Sequence, residues 1–320
     1  MIAKFKPLWR GLSATFLSLL VVSSLGYGVA DTWRSSVDDV LGTESVVVDD
    51  SQEGYFTSNY NSAEEMMAAA KAHAIKQGRE GFVLMKNDNN ALPLSKDKEV
   101  ALFGAAAWAP YMQSSGDLKA GNADRVNLDD ALVNAGYTLN SQMEDIYTNI
   151  LANYTVSSRF GNTTITYTNG YVTSPGDLAN YQVREVPPDR YTDESLLTPD
   201  ADLGLTADDW IDIPSDWRQQ MQATKADRVG IVVFARGAGE SNTYKPGAGT
   251  TNFAGQTTDK DPLELSEDEL AVIDAAKDTC SQVIVLLNTG NAMMIDDIAE
   301  GGSHEVDAIG YMGVINDYQC

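Results

Sequence analysis

The chain has 320 residues, 43% of them apolar, and carries 46 acidic against 22 basic side chains, a formal net charge of -24. That length allows about two domains and that apolar share supplies a core, so a chain disordered throughout is excluded. The acidic balance repels phosphate backbones and anionic headgroups, which excludes a nucleic-acid partner and favours neutral partners such as sugars.

Lys4, Lys6 and Arg10 precede an uncharged stretch at residues 11–30, which opens on Gly11, closes on Ala30 and is dominated by apolar and small side chains. A basic flank before a run of about 20 such residues is the pattern of an export segment with its N-terminus on the cytoplasmic side. A signal anchor that holds the chain in the membrane is the preferred reading. Cleavage after the small residues Gly28-Val29-Ala30, which would release a secreted protein, is the rival. A buried helix of a soluble domain leaves the basic flank without a reason. Residues 31–61 are polar and acidic and suit a stalk, so the folded domain is expected from residue 62 to residue 320.

Ser62 with Glu65 three positions on predicts a helix start, and the Ala-rich stretch continues it to about Gly78. Phe82-Val83-Leu84-Met85 predicts a short apolar strand, and residues 87–90 a turn. Val100-Ala101-Leu102-Phe103 before Gly104 predicts a parallel strand buried on both faces. Residues 127–135 predict a helix whose C-cap is Gly136. Residues 140–225, rich in Tyr, Thr, Asn and Asp, are expected to form an irregular insertion. Residues 229–234 then predict a strand, 237–259 a Gly-rich polar loop, Ser266-Glu267-Asp268-Glu269 a capped helix, and residues 283–287 a further strand. Alternation of buried strands with helices predicts an α/β fold: a mostly parallel sheet sandwiched by helices, with its functional loops at the carboxyl ends of the strands.

Gly237-Ala238-Gly239-Glu240 follows the strand at 229–234, so Glu240 is the leading candidate for proton transfer. On spacing alone the commoner reading of such a residue is a solvated loop carboxylate. The same glycines do not make a dinucleotide fingerprint, because position 242 is Asn rather than a third Gly and no helix opens there. Ser215-Asp216-Trp217 resembles a strand-ending nucleophile triplet, but Pro214 before it and Arg218-Gln219-Gln220-Met221 after it predict a helix with Ser215 as N-cap. His73 and His304 are the only histidines and are expected to be exposed; with Cys280 and Cys320 the only cysteines, neither a metal cluster nor a disulfide framework is expected. No cofactor is expected either.

Glu80-Gly81-Phe82-Val83-Leu84-Met85-Lys86-Asn87, Asn90-Ala91-Leu92-Pro93-Leu94 and Val100-Ala101-Leu102-Phe103-Gly104 together resemble the opening of the α/β sandwich domain of family 3 glycoside hydrolases. Ile231-Val232-Val233 leading into Arg236-Gly237-Ala238-Gly239-Glu240, Leu263-Glu264-Leu265-Ser266, and the strand from Val283 extend the likeness in the same order across most of residues 62–315. The hydrophobic N-terminus, residues 34–43 and Glu185-Val186-Pro187 look like the subgroup in which this domain precedes the catalytic barrel.

The resemblance implies retaining hydrolysis of O-glycosyl bonds of the β-glucosidase type, with an aspartate nucleophile on a barrel outside these 320 residues and an acid/base glutamate at Glu240. It implies an oligosaccharide or β-glucoside substrate, and a barrel partner in cis or as a separate chain. The sequence departs from the family pattern in Ser241-Asn242-Thr243-Tyr244 after the glutamate, and in Ser114-Ser115-Gly116-Asp117-Leu118-Lys119 where the family has a Gly-Ser-Gly loop. Two other functions compete: a non-catalytic module that binds a glycan or a subunit at the cell surface, and a nucleotide-binding protein, which fits the sheet but not the loops.

Overall fold

The uncharged run after Arg10 is helical: α1 spans Lys6–Thr32, 27 residues. Its window Trp9–Gly28 has mean hydropathy 1.4 with exposed side chains, and 20 residues at about 1.5 Å each cover roughly the 30 Å of a bilayer core. The computed structural model describes residues 6–33, 58–108, 110, 126–153, 155–158, 161–166, 185–192, 213–236, 246–247, 249–252 and 256–315. These fall into two units, residues 1–61 with α1 and residues 62–320 with the sheet.

In the second unit α2 (Ala63–Gly81) starts at Ser62, whose hydroxyl accepts from the Glu65 N–H at 3.2 Å. The sheet is built from β1 (Val83–Asn87), β2 (Glu99–Phe103), β3 (Thr138–Leu139), β6 (Arg228–Arg236), β9 (Gln282–Thr289) and β10 (Ala308–Tyr311). Two small antiparallel ribbons, β4 (Thr155–Ser158) with β5 (Gly161–Thr166) and β7 (Thr250–Thr251) with β8 (Thr257–Thr258), lie apart from it. The order is β1-β10-β9-β6-β2-β3; all neighbouring pairs are parallel except β1 on β10. Every residue of β6 is buried and all but the first of β9, as the continuous apolar runs of strands covered on both faces require.

Between strands lie α3 (Ala105–Trp108), α4 (Leu128–Asn134), α5 (Ser141–Asn153), α6 (Trp217–Gln222) and α7 (Glu267–Thr279). From β2 the chain steps to β3 on one side; from β6 it steps to β9 on the other. Right-handed crossovers in opposite directions put their helices on opposite faces, which is what makes the sheet the middle of a sandwich. Helix α4 closes with a Schellman pair: the Gly136 N–H, at φ 85°, donates to Val133 O at 2.9 Å and the Tyr137 N–H to Leu132 O at 3.0 Å. Helix α7 carries the full capping box of Ser266 and Glu269, and its C-cap is the buried Cys280.

One expectation needs correction, and one observed strand needs placing. The described part of residues 140–225 is not irregular: it holds α5, the β4–β5 hairpin, a short 3-10 turn at Pro188–Thr192, and α6. Polar composition hid a helical stripe, because Met143, Ile146, Tyr147 and Ile150 fall at the i, i+3, i+4 and i+7 spacing and are all buried, while Asn140 Oδ1 accepts from the Met143 N–H at 3.0 Å. The apolar strand β1 is an antiparallel edge strand, with Val83, Leu84 and Met85 about half exposed. Its fixed point is Lys86, only 10% exposed, whose ammonium reaches Asp88 at 2.7 Å, Glu305 at 2.8 Å and Val306 O at 2.6 Å.

Ile284 of β9 faces Ile231 of β6 and Ala308 of β10 and is 1% exposed. Ile284→Ala should cost about 2–5 kcal/mol, read as a lower midpoint of urea unfolding with an unchanged slope.

Candidate functional site

The strand order places the site. Since β2 feeds β3 on one side and the next sheet strand, β6, lies on the other, the connections leaving β2 and β6 diverge and open a crevice at their carboxyl ends. Strand β2 delivers Phe103, then Gly104 at φ 89°, then α3. Strand β6 ends on Arg236, and Glu240 follows four positions further on in the sequence, within the connection, or loop, between β6 and α7. Glu240 lies outside the described residues, as do Ser114 and the positions after it to Lys119.

Arg236 closes the neck of that loop. Its guanidinium is 1% exposed and takes the fully buried Glu269 carboxylate in a two-point grip, Nη1 to Oε1 and Nη2 to Oε2, the latter at 2.8 Å. Nη2 also donates to Glu264 O at 3.3 Å and Nε lies 3.4 Å from Pro262 O. The last residue of β6 is therefore tied to the returning end of its own loop and to the first turn of α7. The Glu269 carboxylate accepts from the Ser266 N–H at 2.8 Å as well, so the helix cap and the ion pair share one side chain. A planar guanidinium suits this arrangement, because its rigid fork meets both carboxylate oxygens in parallel, a geometry an ammonium lacks.

On the β2 side stands a carboxyl that sequence reasoning did not select. Glu185 is 4% exposed and its oxygens accept from the Ala106 N–H at 3.2 and 3.3 Å. It presses on Gly104: a Cβ there would sit 2.8 Å from Glu185 Oε2, so the absent side chain makes room for the carboxyl. The Gly104 N–H donates to the Tyr147 hydroxyl at 2.7 Å, and the Tyr147 ring stacks with Trp108 at 6.2 Å. Burial pushes the Glu185 carboxyl up to about 7, against the Ala106 N–H, which lowers it; Glu269 raises it and Arg236 lowers it. The same burial raises the Tyr147 phenol. The available signal was an acid directly before Val186-Pro187-Pro188, three residues with no charge.

Other sequence candidates lie elsewhere. Ser215-Asp216-Trp217 begins α6 as expected, but the cap is Asp216 rather than Ser215, because the Trp217 N–H donates to Pro214 O at 3.1 Å in a turn that delays the helix by one residue. Asp216 Oδ1 accepts from Gln220 at 2.8 Å and Trp217 is buried, so the triplet faces no sheet end. His73 is exposed on α2; His304 is partly covered, with Nδ1 2.8 Å from Ser303 Oγ and Nε2 3.5 Å from Asp274. Among the described residues no group of three or more His, Cys, Asp or Glu could hold a metal.

An open polar groove of about 450 Å³, lined by Lys96, Asp97, Glu99, Asn140, Asp227 and Arg228 among others, lies at the amino ends of β2 and β6. That is the wrong end of a parallel sheet for chemistry. Its arginine is also spent: Arg228 reaches Glu99 at 3.1 Å, Met221 O and Thr279 O at 2.9 Å, and Thr224 Oγ1 at 2.8 Å.

A mostly parallel sheet flanked by helices, with a built neck at its switch point, defines an α/β sandwich of the loop-bearing kind. The chain belongs to glycoside hydrolase family 3: residues 82–314 match the glycosyl hydrolase family 3 C-terminal domain. β-Glucosidase 3B from Thermotoga neapolitana, solved with glucose, shares 17% identity at TM-score 0.50 over 80% of this chain and 28% of that one. A β-glucosidase from Paenibacillus barengoltzii shares 21% identity at TM-score 0.50 over 78% of this chain and 22% of that one. At these identities the likeness concerns the fold, and this chain spans less than a third of either structure. No curated protein matches it significantly.

Removing one partner of a buried ion pair leaves an uncompensated charge. Glu269→Ala should therefore cost about 3–5 kcal/mol in urea unfolding, and the double variant Arg236→Met with Glu269→Leu should cost clearly less than the two single changes summed.

Proposed function

We propose that this chain is the sandwich portion of a β-glucosidase-like glycoside hydrolase, held at the membrane by α1 or secreted after its removal. Its substrate is a β-glucoside or oligosaccharide, and its reaction is hydrolysis of an O-glycosyl bond. The observation that carries this reading is the carboxyl end of β6 at the switch point, within the span that matches the family, with Glu240 four positions further on in the sequence. Glu240 acts as the acid/base that protonates the leaving oxygen and later activates water. Retaining hydrolysis needs a second carboxyl about 5–5.5 Å away as nucleophile. The proposed source is a barrel domain outside these 320 residues, so the chain is inactive alone.

Half of a carboxylate pair can still bind sugar, which gives the second reading its footing: a surface module that holds a glycan or a barrel subunit without chemistry. The two part on activity. The 320-residue chain alone should not release the aryl group from an aryl β-glucoside. Joined to a barrel from the same locus it should, and Glu240→Gln should then lower kcat by about 10²–10⁴. Hydrolysis by the isolated chain that is lost on Asp216→Asn would sink the assignment. Restored complexes that bind glycan but never hydrolyse it would leave the binding module.

Export is tested separately. Alkaline carbonate should leave the chain in the membrane pellet with an intact N-terminus if α1 is an anchor, whereas a mature N-terminus just after Ala30, by mass spectrometry, marks the secreted form. An unprocessed chain in the soluble cytosolic fraction would exclude both.

A further inference from the structure

Retention of α1 and cleavage after Ala30 call for different backbones at residues 28–30. Gly28, Val29 and Ala30 lie within the helix, which runs on to Thr32. Their peptide bonds belong to hydrogen-bonded turns, whereas proteolytic cutting favours exposed, poorly ordered segments. Residues 11–32 contain no proline that would open the helix ahead of these small residues.

The helix also meets what hydrocarbon demands of a crossing segment. Thr15 Oγ1 donates to Gly11 O at 3.0 Å and Ser18 Oγ to Ala14 O at 2.9 Å, so both hydroxyls are satisfied on their own backbone without water. The charges of α1, Lys6, Arg10 and Asp31, stand towards its two ends. At about 100° per residue Ser13, Thr15, Ser18 and Ser23 are spread around the axis, so α1 lacks the single polar face with which a helix lies flat on a membrane. Trp9 and Trp33, both exposed, flank the uncharged run. At about 1.5 Å per residue they stand roughly 36 Å apart along the axis. That lies between the roughly 30 Å of bilayer hydrocarbon and the roughly 40–45 Å of the whole bilayer, the zones where the aromatic belts of spanning helices sit.

We propose that α1 stays uncut and crosses a lipid bilayer once, with Trp9 at the cytoplasmic interface, Trp33 at the outer interface and residues 34–320 outside. Lys4, Lys6 and Arg10 set that direction by holding the N-terminus on the cytoplasmic side. The proposal rests on the export reading given above and keeps only its anchored form. A permanent span confines the sandwich to the outer membrane surface, so a barrel supplied by a separate chain meets it there.

Cysteine labelling of the full chain in bacterial spheroplasts tests both the span and its direction. In a Cys320→Ser background, where Cys280 is buried and serves as the blank, Ser36→Cys should react with a membrane-impermeant maleimide on intact cells. Ala3→Cys should react only after lysis, and Ser18→Cys, at mid-span, in neither case. The mass of the membrane-bound wild-type chain should include residues 1–30. A chain that starts at Asp31 would overturn retention. Labelling of Ala3→Cys on intact cells would mean a helix lying on the outer surface or a reversed span, and Ser36→Cys reactive only after lysis would leave the chain inside; each overturns the crossing. Gly26→Pro, which breaks the helix ahead of the small residues, should bring on cleavage after Ala30 and loss of the chain from the membrane; a variant that stays whole would overturn the helix as what protects the site. None of these outcomes involves Glu240 or hydrolysis, so the glycosidase assignment stands or falls on its own activity test.

Discussion

The buried pairing of Arg236 with Glu269 is the constraint on which the architecture of the site rests. A guanidinium and a carboxylate with 1% and 0% exposure persist only because each neutralises the other and because their remaining donors and acceptors are used by Glu264 O, Pro262 O and the Ser266 N–H. The consequence is geometric. The end of β6, the return of its loop and the start of α7 meet at one point, so the loop between them begins and ends at fixed coordinates. At the other end of the same strand Arg228 does a matching service for Glu99, Met221, Thr224 and Thr279, and only buried residues run between the two arginines.

Against that frame Glu185 is the contrasting carboxyl. Glu269 has a cation gripped at two points; Glu185 has backbone N–H groups and an apolar wall. The two glutamates thus end in different electrostatic situations, Glu269 gripped by the Arg236 guanidinium and Glu185 raised by burial. The end of β6 accordingly carries a closed ion pair, and the end of β2 a buried carboxyl held by backbone N–H groups.

Much of the fold was legible residue by residue. The β2, β6 and β9 runs announced themselves as strands buried on both faces, Ser266 with Glu269 as a capping box, and Gly136 as a helix end. Helix α5 was obscured because its apolar stripe is set in a segment whose overall composition is polar, and composition averages away a four-residue stripe. Strand β3 is two residues long, too short for any periodicity. Strand β1 was legible as a strand but not as an exposed edge, since Phe82-Val83-Leu84-Met85 carries no mark of which neighbours it will have. Ser215 missed its cap by one residue because Pro214 imposes a turn first.

By itself, the sequence determined what is local or cumulative: the apolar α1 window, capped helix starts such as Ser62 and Ser266, the buried strands, and the likeness to family 3 sandwich domains. These depend on side chains within a few positions of one another, or on an order of motifs along the chain. Tertiary structure alone decided the rest. The switch point exists because β6 pairs with β2 rather than β3. Arg236 finds Glu269 across 33 positions, and Glu185 finds Ala106 across 79. Charge states and site walls arise from such long-range contacts, in which the loss of water is shared between residues that are distant in sequence.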